Sequence, residues 1–456
     1  MRDVIETTEP GVMGGDLTED GVALSFTALN GSTMRYDHDQ GRWHEWTGDR
    51  WKSDNTHLAY SYIREIAREL SAPLQPKERA AIRKAAFAAG AERLARADRA
   101  HAVTQKAWDQ DPWLLGCPGG MVNLRSGQMM PADPQEGITK HAAIAPSKED
   151  CPTWLRFLSE ATSGDREMVE FLQRWCGYCL TGDTREHALI FLYGPGGNGK
   201  SVFLNTVDRI MGDYATTAAM DTFTSTRGDK HPTELALLKG ARMVSASETE
   251  EGRAWAESRI KQMTGGDPIS ARFMRQDFFT YMPQFKLTIV GNHAPALANV
   301  DDAAKRRFNI VPFTVRPADP DRELEAKLEK EWPAILQWMI EGCLRWQKDG
   351  LKRPESVKAA TAEYFAGQDL TAQWLDECTR LEPGNEYLFE TSADLFKSWS
   401  DFAKANGEDA GSAKGMAARL RRHGLRNHAR KIQGKTYRGW IGAELTRPDH
   451  GGNAHD

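Results

Sequence analysis

The eight residues Gly194-Pro195-Gly196-Gly197-Asn198-Gly199-Lys200-Ser201 constrain this chain more than any other segment. An apolar run, His187–Tyr193, leads into them, and Val202-Phe203-Leu204 onward has helical periodicity. A strand feeding a glycine-rich turn and then a helix is the setting of a phosphate-binding loop. Glycines let backbone N–H groups close around phosphate oxygens where a Cβ would collide, and the helix N-terminus adds partial positive charge. Gly194, Gly196, Gly197, Asn198 and Gly199 then form the cradle, Lys200 bridges the β- and γ-phosphates, and Ser201 holds Mg²⁺. ATP and Mg²⁺ are the expected ligands.

Hydrolysis also needs an acidic group at the end of a neighbouring strand. The strand Ala241–Ser247 runs into Glu248, with Glu250 and Glu251 just beyond. Glu248 is expected to position Mg²⁺ and polarise the attacking water, with Glu250 in reserve; a surface acidic turn is the alternative. A third strand, Phe285–Val290, ends in Gly291-Asn292, and the neutral amide of Asn292 suits orienting a water against the γ-phosphate. Before a further apolar strand stand Arg306 and Arg307, which could stabilise transferring phosphate from a neighbouring subunit or make an ordinary salt-bridged loop. Between the acidic and Asn strands, Lys261, the Gly265-Gly266 stop, Arg272, Arg275 and Phe278 read as a helix end and a β-hairpin. Its tip suits gripping phosphate and stacking on bases, or packing on the core.

A chain of 456 residues is too long for one ordinary core, so several domains are expected. Residues 20–55 read as short strands in which Trp43, Trp46 and Trp51 form a small hydrophobic layer, with stacking on bases as the alternative. His57–Leu70 is amphipathic, and the Ala-rich 76–106 reads as solvated helix. Residues 113–130 suggest a strand, a Ser-Gly turn and another strand, and 152–180 read as helix. Within the latter Cys176 and Cys179 form a lone C-x-x-C pair suited to core packing rather than zinc. Net charge is −5, yet nine basic residues and no acidic one lie between Gly411 and Ala443. Such a block is either a solvated face or an electrostatic footprint for nucleic acid, with Arg421, Arg422, Arg430 and Lys435 as its candidates. No apolar run is long enough for a bilayer and the N-terminus lacks a signal-peptide core, so a cytoplasmic protein of a bacterial host cell is expected.

Taken in order, GPGGNGKS, SASETEEG, IKQMTGGDPISAR, FKLTIVGNHAP and DDAAKRRFNIVPF resemble the C-terminal helicase portion of phage and plasmid primase-helicases, a branch of the superfamily-three helicases. The resemblance spans about 300 residues once NLRSGQ and the helices after 320 are included. It implies an AAA+-like hexameric ring that translocates 3′ to 5′ on single-stranded and forked DNA. Glu248 takes the acidic role, Asn292 the polar sensor position, Arg307 (with Arg306 beside it) the trans-acting finger, and the Lys261–Phe278 segment the DNA-gripping hairpin. The basic C-terminal segment resembles a winged-helix module. Relatives often carry a primase domain with paired aspartates, but only 36 residues precede Asp37-His38-Asp39, too few for such a sheet. That motif reads as a hairpin turn, so a separate primase or polymerase is the expected partner.

The expected architecture is thus an α/β P-loop core with a mixed, partly helical N-terminal region and a C-terminal winged helix. The boundaries are 1–112 accessory region, 113–185 linker strands and collar-like helices, 186–318 ATPase, 319–385 helical subdomain, 386–445 winged helix and 446–456 tail. An origin-binding initiator or loader, or a defence-type ring ATPase, would use the same motifs without processive unwinding.

Overall fold

The computed structural model describes residues 16–224, 233–247, 254–275, 277–297, 302–406 and 409–446. At its centre lie five parallel strands: β1 (Leu189–Tyr193), β2 (Ala215–Thr217), β3 (Met243–Ser247), β4 (Lys286–Gly291) and β5 (Phe308–Pro312), in the order β5-β1-β4-β3-β2. Near-continuous apolar runs are what a parallel sheet covered on both faces requires. Here Ile190, Leu192, Val290 and Val311 face one cluster, and Leu189, Phe191, Leu287, Ile289 and Ile310 face the other.

The first face is covered by the helices Pro152–Ala161, Arg166–Leu180, Lys200–Met211 and Leu324–Asp349. Gly177 and Gly342 let the second and fourth of these touch through their backbones. A Cβ on Gly177 would lie 2.0 Å from the Cys343 nitrogen, and one on Gly342 would lie 2.0 Å from the Gln173 carbonyl oxygen. Cys176 and Cys179 are buried in this layer, as core packing requires. Trp175 reaches the sheet itself, its indole N–H donating to Thr288 Oγ1 on β4 at 3.0 Å. The opposite face is covered by Glu257–Gly265 and Glu355–Gln368, through Ile260, Met263 and Phe365.

The N-terminal region corrects the expectation of strands throughout 20–55, because Glu19–Asn30 is a helix. Thr18 caps it, accepting from the Gly21 N–H, and Val22, Ala23 and Phe26 share its buried side. Strands follow at Met34–Asp37, Arg42–Trp46 and Trp51–Ser53, where Trp43 and Trp51 are buried as expected of a hydrophobic layer. Asp37 ends the first strand. Its buried carboxylate accepts from the Asp39 and Gln40 N–H groups and from the Trp108 indole, which is turn chemistry. The Ala-rich stretch is two helices rather than one, Pro76–Ile82 and Ala85–Ala97. Lys84 is extended between them (ψ 145°), which re-aims Ala88, Ala91 and Ala95 at Val22 and Phe26. Residues 113–130 form three strands rather than two, Leu114–Cys117, Gly120–Asn123 and Gln128–Met130, with the Ser-Gly turn between the last two.

At the C-terminal end the expected order of helix, helix and hairpin is observed: Ser392–Ala405, Ala413–Arg422, then Arg426–Ile432 paired with Lys435–Ile441. Phe389–Thr391 adds a third strand to the hairpin. Trp374, Leu395, Trp399, Leu420 and Trp440 form a small separate core.

Candidate nucleotide site

The register of the parallel sheet assembles the site. Tyr193, the last residue of β1, pairs with Gly291 of β4 on one side and Pro312 of β5 on the other. The residues that follow, Gly194, Asn292 and Phe313, therefore leave the sheet side by side at its carboxyl edge. Strand order reverses at β1, and the crevice beyond such a switch point is where open α/β sheets bind ligands.

The loop after β1 needs its glycines. Gly196, Gly197 and Gly199 hold φ of 89°, 68° and 84°, and a Cβ on Gly194 would lie 1.9 Å from the Phe313 carbonyl oxygen. Asn198 is buried and ties the loop down, its Nδ2 donating to that same carbonyl. Lys200 is also buried, and its Nζ donates to the Gly194 carbonyl (2.7 Å), Asn198 Oδ1 (2.8 Å) and Asn292 Oδ1 (3.2 Å). All three acceptors are neutral. Burial, and then the charge of Arg316, lower Lys200 below the ordinary lysine value. The helix Lys200–Met211 starts from Gly199 without a side-chain cap, so its first N–H groups are left for a ligand.

These residues line a cavity of about 1090 Å³. Sequence reasoning missed two of its walls. Phe157 and Glu160 come from the helix Pro152–Ala161, and a Cβ on Gly199 would lie 2.7 Å from the Phe157 ring. Arg316, three residues past Phe313, donates to the carbonyls of Gly196 (Nε, 2.7 Å) and Pro195 (Nη2, 2.7 Å). The signal that could have found Arg316 is positional: β5 lies beside β1, so a basic residue shortly past its end returns to the loop.

Of the expected acidic residues, Glu248 and Glu250 lie outside the described residues, and Ser247, which ends β3, lines the cavity. Ser201 is exposed at the start of its helix and lines the same cavity. No group of three or more His, Cys, Asp or Glu side chains able to hold a metal ion occurs among the described residues. Among the described residues, the side chain suited to a divalent ion here is the Ser201 hydroxyl, with the remaining positions open to phosphate oxygens and water.

The other expected site residues lie apart from this centre. Arg307 is half-buried, donating to Thr264 Oγ1 (3.2 Å) and the Ala303 carbonyl (3.0 Å), whereas Arg306 is exposed. Lys261 lies on the helix Glu257–Gly265, which stops at Gly266 (φ 78°) as expected. The hairpin Ile269–Ala271 with Phe279–Tyr281 follows. At its tip Arg275 is exposed, Phe278 is 59% exposed, and the Arg272 guanidinium lies 4.7 Å from the Phe278 ring centroid. In the C-terminal unit Arg421, Arg422 and Lys435 are exposed, while Arg430 is held over the Phe389 ring at 4.8 Å.

Residues 23–163 match a family described as D5 N terminal like, and residues 192–307, which include the glycine-rich loop, match a family of unknown function. A putative helicase of Acanthamoeba polyphaga mimivirus is 24% identical over 325 residues, 65% of this chain and 34% of that protein. A putative helicase of Frog virus 3 is 24% identical over 268 residues, 53% of this chain and 27% of that protein. The chain thus spans about a third or less of the length of these relatives. An apo structure of the NrS-1 C terminal region superposes with a TM-score of 0.54 at 10% identity, covering 93% of this chain and 99% of that one. A second form gives 0.51 at 11% identity, with 92% and 99% covered. At such identities the likeness is one of fold. No described helix is long and apolar enough to cross a membrane.

Proposed function

We propose, from a chain whose matches bear out its resemblance to the phage and plasmid primase-helicases, that it is the ATP-driven motor of a mobile-element replication helicase. The observation that carries the reading is the junction of Lys200, Asn198 and Asn292 at the carboxyl ends of β1 and β4, facing one cavity. Lys200 is desolvated and its acceptors among the described residues are neutral, so an incoming polyphosphate supplies a counter-charge. Gly196, Gly197 and Gly199 are assigned as N–H donors, Ser201 as a hydroxyl for Mg²⁺, and Asn292 as the amide that orients water at the terminal phosphate. The acid of that step is assigned to Glu248, with Glu250 in reserve.

The core is read as AAA+-like and superfamily-three, working as a hexameric ring that moves 3′ to 5′ along single-stranded DNA. Arg307 or Arg306 is assigned to the neighbouring subunit's phosphate, the exposure of Arg306 favouring it for reach and the sequence motif favouring Arg307. The tip of the 269–281 hairpin, with Arg272, Arg275 and Phe278, is assigned to the strand in the channel, with Lys261 behind it. The three-stranded C-terminal unit with its two helices is read as a winged helix, engaging duplex phosphates through Arg421, Arg422, Arg430 and Lys435. A separate primase or polymerase completes the machinery.

Unwinding of a forked duplex by purified protein, with Lys200→Ala as control, tests the reading. Strand separation dependent on ATP and lost in K200A is expected. Unwinding that survives in K200A ends the motor hypothesis, and ATP turnover with no strand separation reduces the chain to a loader or regulatory ATPase.

A further inference from the structure

Arg316 carries a permanent charge at the mouth of the cavity, yet two neutral carbonyls hold it. Among the described residues no ion pair holds Arg316 or Lys200, and the carboxylates that also line the cavity, Glu160, Asp319 and Asp321, hydrogen-bond to neither of them. Arg316 also stands at a particular end of the loop. Its Nε bonds the Gly196 carbonyl and lies 3.9 Å from a Cβ built on Gly197, while Asn292 Oδ1 lies 3.8 Å from a Cβ built on Gly196. Asn292 in turn accepts from Lys200. Arg316, Asn292 and Lys200 therefore converge at the end of the loop where the terminal phosphate of a bound triphosphate belongs.

The chemistry of the side chain sharpens this. A guanidinium presents two parallel N–H groups that match two non-bridging phosphate oxygens, and bonds to an ionised acceptor are stronger than those to a peptide carbonyl. The side chain is exposed, so exchanging one pair of acceptors for the other exacts little desolvation. We propose that Arg316 is a ligand of the nucleotide's terminal phosphate, supplied by the same subunit that carries the loop, with the Pro195 and Gly196 carbonyls as its partners when no γ-phosphate is present. The inference rests on the nucleotide reading of the loop and adds to it a residue that discriminates triphosphate from diphosphate.

A purely mechanical role is the competing account: Arg316 would brace the loop and serve every nucleotide alike. Equilibrium titration of the purified full chain with fluorescent ATP and ADP analogues separates the two. Arg316→Gln keeps an amide that can donate to the carbonyls but removes the charge, whereas Arg316→Ala removes both. Affinity for the ATP analogue is expected to fall roughly tenfold or more in R316Q, and that for the ADP analogue less than about threefold. Should R316A fail to fold, R316Q decides alone. An equal fall for both nucleotides, or no change in either, overturns the proposal while leaving nucleotide binding intact. Wild type that binds neither analogue overturns the reading of the loop and this inference with it.

Discussion

Replacing Asp208 by Asn should change how the stability of the protein depends on pH. Asp208 lies on the helix that begins at Lys200, packed against β3. Ser245 Oγ donates to its Oδ2 at 2.7 Å, and its buried Oδ1 has no partner among the described residues. With no cation beside it among the described residues, burial raises the carboxyl to about 6 from an ordinary 3.8. Between those values the folded protein holds a proton that the unfolded chain has released, so stability falls as pH rises through the window and is flat above it. The full displacement corresponds to about 3 kcal/mol, of which about 2 kcal/mol falls between pH of about 4.5 and 7.5. Asp208→Asn has no proton to lose there. Its amide leaves a buried donor near the old Oδ1 position, a penalty of roughly 1–3 kcal/mol that does not vary with pH. The informative quantity is therefore the difference between wild type and D208N, which cancels every other titrating group. Urea unfolding followed by tryptophan fluorescence should show that difference moving by about 2 kcal/mol in favour of D208N as pH rises across the range. A gap that stays constant, or moves the other way, refutes the argument that this carboxylate is ionised at a cost in the fold.

Gly194→Ala places a methyl 1.9 Å from the Phe313 oxygen, so the loop must shift, and ATP affinity measured by the same titration should drop at least about tenfold; retained affinity would contradict the close-packed loop. Phe278→Ala at the hairpin tip should cost about 1–3 kcal/mol in single-stranded DNA binding by fluorescence anisotropy, the worth of one stacked base. Reversing Arg421, Arg422 and Lys435 to Glu should weaken duplex binding and flatten its dependence on salt by about one in slope per lost phosphate contact, and an unchanged slope removes this unit from the DNA interface. Charge reversal is preferable to deletion from residue 390, because Trp374 and the strand Thr379–Leu381 are built into the same small core.

What the sequence made legible was whatever local chemistry dictates. The glycine-rich loop could be read because strand, turn and helix are consecutive, and the positive φ values at Gly196, Gly197 and Gly199 are those its composition demands. The hairpin at 269–281 and the helix, helix and hairpin order near the C-terminus were legible for the same reason. Glu19–Asn30 was misread because its core-facing residues are few and its cap, Thr18, lies among residues of ordinary loop composition. The single helix expected over 76–106 failed because alanine periodicity continues across Lys84, whose extended backbone answers to packing against Phe26 rather than to local propensity. Arg316 and Phe157 were missed because each joins the site through tertiary structure, Arg316 through the order of the strands and Phe157 through the stacking of a distant helix.

The cavity is consequently not a property of the loop-bearing segment by itself. Phe157 closes against Gly199 from the helix Pro152–Ala161, and that helix is fixed by Glu331, whose carboxylate accepts the Thr153 and Trp154 N–H groups at 3.0 Å each. Glu331 belongs to Leu324–Asp349, which also backs the sheet face carrying Ile190, Leu192 and Val311. Arg316 and the stretch up to Leu324 supply the opposite wall. A displacement of the loop would therefore press on the helix Pro152–Ala161, which lies within the segment matching the D5 N terminal like family, and through Glu331 on Leu324–Asp349. In a close-packed layer such a displacement is transmitted rather than absorbed.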